Sequence, residues 1–133
     1  MIGKHVLIIG DHATGKTVLT TRLIEESIQM NLSSKITVLE LAPRMFLKNE
    51  YIGLEIADYT DMISKVTYLK TKNIKAPRIQ GKNHEESLYY ANHNRKKFEK
   101  LLNIFMINPT DILFINDLTM FFHIGKPDIL FNI

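Results

Sequence analysis

Cysteine is absent from this chain of 133 residues. A disulfide framework and a zinc–thiolate centre are therefore both excluded. Long apolar runs are missing as well, and no stretch approaches the roughly 20 residues needed to cross a bilayer. The short run after Met1–His5 is too brief for the core of a secretion signal, and no small-residue cleavage site follows it. These absences set the expectation of a soluble cytoplasmic protein without a membrane partner. No repeat, low-complexity tract or Pro/Gly/Ser linker interrupts the chain, so residues 1–133 are expected to form a single domain. Tryptophan is lacking and arginine is confined to Arg22, Arg44, Arg78 and Arg95. The net charge of +3 comes mainly from scattered lysines, so a nucleic-acid partner is not expected. The hydrophobic share is 45%. A domain of this size can bury about two thirds of its unfolded surface without cross-links.

Apolar patterning alternates between two periods. Val6–Ile9 is a continuous apolar run rich in β-branched residues, which predicts a strand buried on both faces. Leu19, Leu23, Ile24 and Ile28 then recur at helical spacing over residues 16–30, and Asn31–Ser34 breaks that helix. Ile36–Leu41 predicts a second strand, closed by Ala42-Pro43. Residues 44–64 suggest an irregular loop with a short helix. Val66–Leu69 predicts a third strand, and residues 71–83, with Lys72, Lys75, Arg78 and Lys82, predict a basic loop. The longest helix is expected over 84–106, with Leu88, Ala91, Phe98, Leu101, Leu102 and Phe105 on one face. Glu85 and Glu86 in its first turn suit the helix dipole, and Asn108-Pro109 stops it. Ile112–Ile115 predicts a further strand and Asp128–Phe131 a last one. Alternating strands and helices predict an α/β domain with a mainly parallel sheet and helices on both faces.

Between the first strand and the first helix stands Gly10-Asp11-His12-Ala13-Thr14-Gly15-Lys16-Thr17. It fits G-x-x-x-x-G-K-[ST] at every fixed position. Gly10 lets the chain turn sharply after the strand, and Gly15 allows backbone to approach a phosphate without a Cβ in the way. Backbone N–H groups turned inward would cradle a phosphate, and the helix starting there adds its positive pole. Lys16 brings a full charge to phosphate oxygens, and the Thr17 hydroxyl suits Mg²⁺. On these residues the chain resembles the P-loop (Walker A) nucleoside triphosphatases and kinases. The resemblance implies a three-layer P-loop domain that binds a nucleoside triphosphate with Mg²⁺ through Gly10–Thr17.

Ile112-Leu113-Phe114-Ile115-Asn116-Asp117 is similar to the Walker B pattern of that superfamily, an apolar strand ending in an acid. A carboxylate there could hold Mg²⁺ directly or through water. Asp117 is the candidate, with Thr17, for the metal. Asn116 stands one position earlier, where many family members place their acid. Adjacent strand residues face opposite ways, so only one of the two faces a nucleotide. The alternative for Asp117 is to cap a short helix over 118–123.

No Asn-Lys-x-Asp sequence appears, so the guanine-reading motif of Ras-like GTPases is missing and ATP is expected over GTP. Glu40, near the end of the second strand, is a candidate catalytic base beside Lys16 and Asp117. Its alternative is a strand-end carboxylate that caps a neighbouring helix. Asp58 is a second candidate base. Arg44 and Arg78 sit in predicted loops near strand ends, where α/β sheets bind ligands. Either could stabilise a transferring phosphate or hold an anionic second substrate, and Arg78 joins the expected nucleotide-binding set. His84 and His93 are nine apart and do not share the face a metal pair needs.

Three activities fit these features: Mg²⁺-dependent ATP hydrolysis read out by a partner, phosphoryl transfer to a small molecule, and nucleotide-dependent regulation with little turnover. Asp117-Leu118-Thr119 is faintly similar to the corresponding stretch of adenosylcobinamide kinases, which also begin with a P-loop. P-loop domains commonly use five or more strands. Either Asp128–Phe131 completes the sheet, or the chain is a truncated domain whose exposed sheet edge invites a homo-oligomer or a partner strand.

Overall fold

Three of the expected strands pair into one parallel sheet, with a helix against each face. The structure, a computed structural model, describes residues 4–123 and Asp128. β1 (Ile36–Glu40) is central, flanked by β4 (Thr67–Lys70) and β5 (Ile112–Asn116). Both pairings are parallel, and Glu40 stands in register with Lys70 on one side and Asn116 on the other. All five residues of β1 are buried, as a central parallel strand covered on both faces requires.

The strand period of two divides these side chains between two cores. On one face Ile36, Val38 and Phe114 pack with Ile24 and Ile28 of α1 (Lys16–Gln29). On the other, Leu39, Leu41, Leu69, Leu113 and Ile115 pack with Phe98, Leu101 and Leu102 of α3 (His84–Ile107). The α/β class and the placement of helices on both faces therefore match the sequence expectation. The helix stop expected at Asn31–Ser34 also holds. Asn31, at φ 62°, ends α1 in the left-handed region, with Leu32 N–H donating back to the Ser27 carbonyl at 3.1 Å. Asn83 caps α3 by accepting from Glu86 N–H at 2.8 Å, with Glu85 and Glu86 in the first turn.

Two expectations need correction. Val6–Ile9 does not form a strand: residues 4–11 have no regular structure, and Val6, Leu7 and Ile9 are 83%, 68% and 83% exposed. Strand propensity is not pairing: among the described residues no strand bonds to this run, and the outer edge of β5 is left without a partner strand. Among the described residues the expected mainly parallel sheet has three strands, all parallel. Residues 44–64 are more regular than expected. β2 (Met45–Leu47) and β3 (Glu50–Ile52) form an antiparallel hairpin. Its two-residue turn, Lys48-Asn49, has positive φ at both positions (49° and 64°), the backbone that matches strand twist. Two 3-10 turns follow, Ile56–Asp58 and Asp61–Lys65. Within the expected basic loop, Pro77 opens α2 (Pro77–Gln80), a single helical turn. The expected last strand, at 128–131, lies outside the described residues apart from Asp128. No helix among the described residues is long and apolar enough to cross a membrane.

Candidate functional site

The loop at residues 10–17 is built around two backbone requirements. Ala13 and Gly15 have positive φ (59° and 85°) with Thr14 between them, and the helix begins at Lys16. Alternating signs of φ turn successive N–H groups toward one side, the geometry of an anion-binding nest. A Cβ at Gly10 would lie 2.8 Å from Thr14 Oγ1, so the close turn needs glycine. Thr14 Oγ1 donates to the Asp11 carbonyl at 2.8 Å, which holds the loop closed. No side chain caps α1, so the N–H groups of its first turn are left to a ligand or to water. Lys16 Nζ folds back over the loop and donates to the carbonyls of Gly10 and Asp11. Gly10, Asp11, His12, Ala13, Thr14 and Gly15 are exposed, while Lys16 and Thr17 are half-buried.

The first turn of α1 sits against the carboxyl end of β5. Thr17 Oγ1 lies 3.5 Å from Asn116 Oδ1, and Asn116 Nδ2 donates to Glu40 Oε1 at 2.8 Å. The side chain that reaches Thr17 is thus Asn116, and not Asp117 as expected from sequence. Strand parity explains it: Ile112, Phe114 and Asn116 point to the α1 face, and the next residue leaves the strand. Asp117 is in the left-handed region at φ 57°. Its Oδ1 accepts from Thr119 Oγ1 at 2.9 Å, and its carbonyl accepts Met120 N–H at 3.0 Å. It precedes the 3-10 turn Leu118–His123, but its side chain goes to the Thr119 hydroxyl and not to a backbone N–H, as the cap weighed as its alternative would.

Glu40, expected as a base, is 1% exposed and tied on every side. Oε1 accepts from Ala42 N–H (3.0 Å) and Asn116 Nδ2 (2.8 Å). Oε2 accepts from Ile56 N–H (2.9 Å) and the Tyr68 hydroxyl (3.3 Å). Four donors fill the carboxylate's lone pairs, and none is left to orient a water. Ile56 opens a 3-10 turn, so Glu40 fills the helix-capping alternative and joins β1, β4 and β5 to the segment after the hairpin. Burial pushes its pKa above the ordinary carboxylate range, while the bonds from Ile56, Asn116 and Ala42 pull it down. Among its partners, the Tyr68 hydroxyl could turn round and accept a proton. Burial and the Glu40 charge push the Tyr68 pKa far up, so that hydroxyl stays protonated and donates.

Arg78 lies on α2, exposed, and makes no hydrogen bond or ion pair with the 10–17 loop among the described residues. Its charge acts instead on His123, whose pKa is lowered first by burial and then by Arg78, against an opposing pull from Asp117. A histidine held neutral in the fold and free to charge when unfolded stabilises the protein fully above pH ~6.5. That contribution is lost as pH falls below that value toward the lower folded pKa, because the unfolded chain then binds the extra proton. Urea midpoints should therefore drop less between pH 7.5 and pH 5.5 in His123→Asn than in the native sequence. Equal drops would remove His123 from the acid response.

Arg44 is anchored beside the hairpin: it pairs with Asp58 at 2.8 Å and lies 4.8 Å over the Tyr51 ring. Asp58, the other expected base, is thereby committed to Arg44 and to Glu55 N–H. The segment after β4 is fixed to α3. Buried Asn94 brackets Lys75 by bonding its N–H and carbonyl (2.9 and 2.8 Å), and Lys97 Nζ donates to the carbonyls of Lys72 and Asn73. Asn116 and Asn94 carry this architecture, though neither is a candidate site residue from sequence. The parity of 112, 114 and 116 was a usable signal for the first, and nothing local marked the second. Among the described residues, no three His, Asp or Glu side chains cluster as a metal cage. Compared with known proteins, the chain matches no family model, no curated protein and no solved structure.

Proposed function

We propose that the chain binds a Mg²⁺–nucleoside triphosphate, ATP before GTP, on the loop 10–17 and acts on its γ-phosphate as a P-loop enzyme. The observation that carries this reading is the pairing of an uncapped helix start, nested at Ala13–Gly15 and covered by Lys16, with a strand end that presents Asn116 to Thr17. The loop N–H groups and Lys16 would bind the phosphates. Mg²⁺ asks for hard oxygen donors and keeps several waters and phosphate oxygens of its own. The Thr17 hydroxyl and the Asn116 amide oxygen fit that demand, with the Glu40 carboxylate behind them holding the amide by its Nδ2. There the ion would neutralise charge on the β and γ oxygens.

This assignment moves the metal role from Asp117 to Asn116, and it is testable. Asn116→Ala is expected to weaken Mg²⁺-dependent nucleotide binding about tenfold, while Asp117→Asn should leave it within about twofold. Calorimetric titration of ATP with and without Mg²⁺ on both variants separates the two. A large loss in Asp117→Asn with none in Asn116→Ala would restore the carboxylate to the metal.

Hydrolysis and transfer remain the two fates of the γ-phosphate. Hydrolysis needs a group that orients water, and Glu40 has no free lone pair for it. That observation favours the second reading, transfer to the hydroxyl of a small acceptor, which needs positioning more than a base. Phosphate release assayed with and without candidate acceptors decides between them. Steady release from ATP alone supports hydrolysis.

A further inference from the structure

A cleft opens between the carboxyl ends of β1 and β4, on the far side of β1 from Asn116. It holds about 260 Å³ and is lined by Ala42, Arg44, Glu55, Lys70, Lys72 and Asn73, among others. Three cations face one carboxylate. Glu55 is already satisfied by Lys70 at 2.8 Å, and Arg44 gives one nitrogen to Asp58. The remaining guanidinium N–H groups and two of the three Lys70 ammonium donors are uncommitted by those pairs. Lys72 makes no side-chain hydrogen bond or ion pair among the described residues. Carbonyls that would repel an anion are turned elsewhere, since those of Lys72 and Asn73 are taken by Lys97 from α3. Asn73 turns the backbone there with φ 58°. The site is anchored: Asn94 and Lys97 hold the loop, and Tyr51 and Asp58 hold Arg44.

The geometry points to this cleft as the binding site of a small anionic molecule carrying a phosphate or carboxylate group. Its volume lies just below the lower end of small-molecule sites, about 300 Å³, and so suits a small ligand. Its place suits a second substrate. Glu40 is in register with Lys70 and with Asn116, so those two backbone positions are two strand spacings apart, roughly 10 Å. The role as second substrate rests on the nucleotide reading above; the anion binding itself does not.

The test uses the isotopically labelled full chain, followed by amide NMR. Inorganic phosphate and citrate are titrated separately at constant ionic strength, after addition of Mg²⁺ and a non-hydrolysable ATP analogue. At least one anion is expected to shift the Thr71, Lys72 and Asn73 amides saturably, and Lys72→Glu should weaken that binding at least about fivefold. Whichever anion acts identifies the group recognised. The inference is overturned if neither anion shifts these amides, or if Lys72→Glu binds as tightly as the native chain with its spectrum otherwise unchanged. The nucleotide reading fails separately, by absence of shifts at residues 10–17 on adding the analogue, and the anion titration is still read at 71–73.

Discussion

Lys16→Ala should weaken Mg²⁺–ATP binding by about a hundredfold or more, with little change in stability. In the structure the Lys16 ammonium donates to the carbonyls of Gly10 and Asp11. On binding, it exchanges those neutral acceptors for anionic phosphate oxygens, so that donor and acceptor are both charged, and hydrogen bonds to charged groups contribute about 1.5–3 kcal/mol each. Losing one or two of them costs about 3–4 kcal/mol, and each 1.4 kcal/mol is a factor of ten in affinity. Stability should hold because the loop is exposed and closed independently by Thr14 on Asp11. Calorimetry on the native chain and the variant measures the affinity, and urea unfolding measures the fold. Equal affinities would remove Lys16 from the phosphate site and with it the central support for the proposed function.

Glu40→Ala is the largest expected stability loss, about 3–5 kcal/mol. The substitution strands two backbone N–H groups, of Ala42 and Ile56, together with Asn116 Nδ2 and the Tyr68 hydroxyl, all turned toward one buried carboxylate. A buried donor without an acceptor costs about 1–3 kcal/mol, and removing one side of a buried polar network is correspondingly expensive. Against a typical total of 5–15 kcal/mol, the variant should unfold at much lower urea or fail to fold. Glu40→Gln preserves the volume and one oxygen, but its amide nitrogen must face two donors, so a smaller loss of about 1–3 kcal/mol is expected. Its activity is the more informative readout. If Glu40→Gln folds near normally and loses only phosphate release, Glu40 is a base after all. If it loses stability and Mg²⁺-dependent binding together, Glu40 acts by positioning Asn116.

The sequence determined the local chemistry. Spacing alone located Lys16–Gln29 as a helix behind a glycine-bracketed loop, and the runs at 36–40, 67–70 and 112–116 as strands, within a residue or two at each end. These features are encoded by neighbours in the chain: apolar period, a cap at Asn83, a left-handed stop at Asn31. The tertiary structure decided which end groups meet. Val6–Ile9 has the composition of a buried strand, yet among the described residues no strand pairs with it: composition gives propensity, and the partner must come from elsewhere in the fold. Asp117 carries the charge that the motif led one to expect, but the left-handed turn after β5 sends it to Thr119 and leaves Asn116 facing Thr17. Along the chain Glu40 reads equally as a base and as a strand-end cap. It becomes a saturated hub only because Ile56, Tyr68 and Asn116, distant in sequence, converge on it. Hydrogen-bond saturation belongs to space and not to sequence, and it decides whether a carboxylate is left to do chemistry or is committed to the fold.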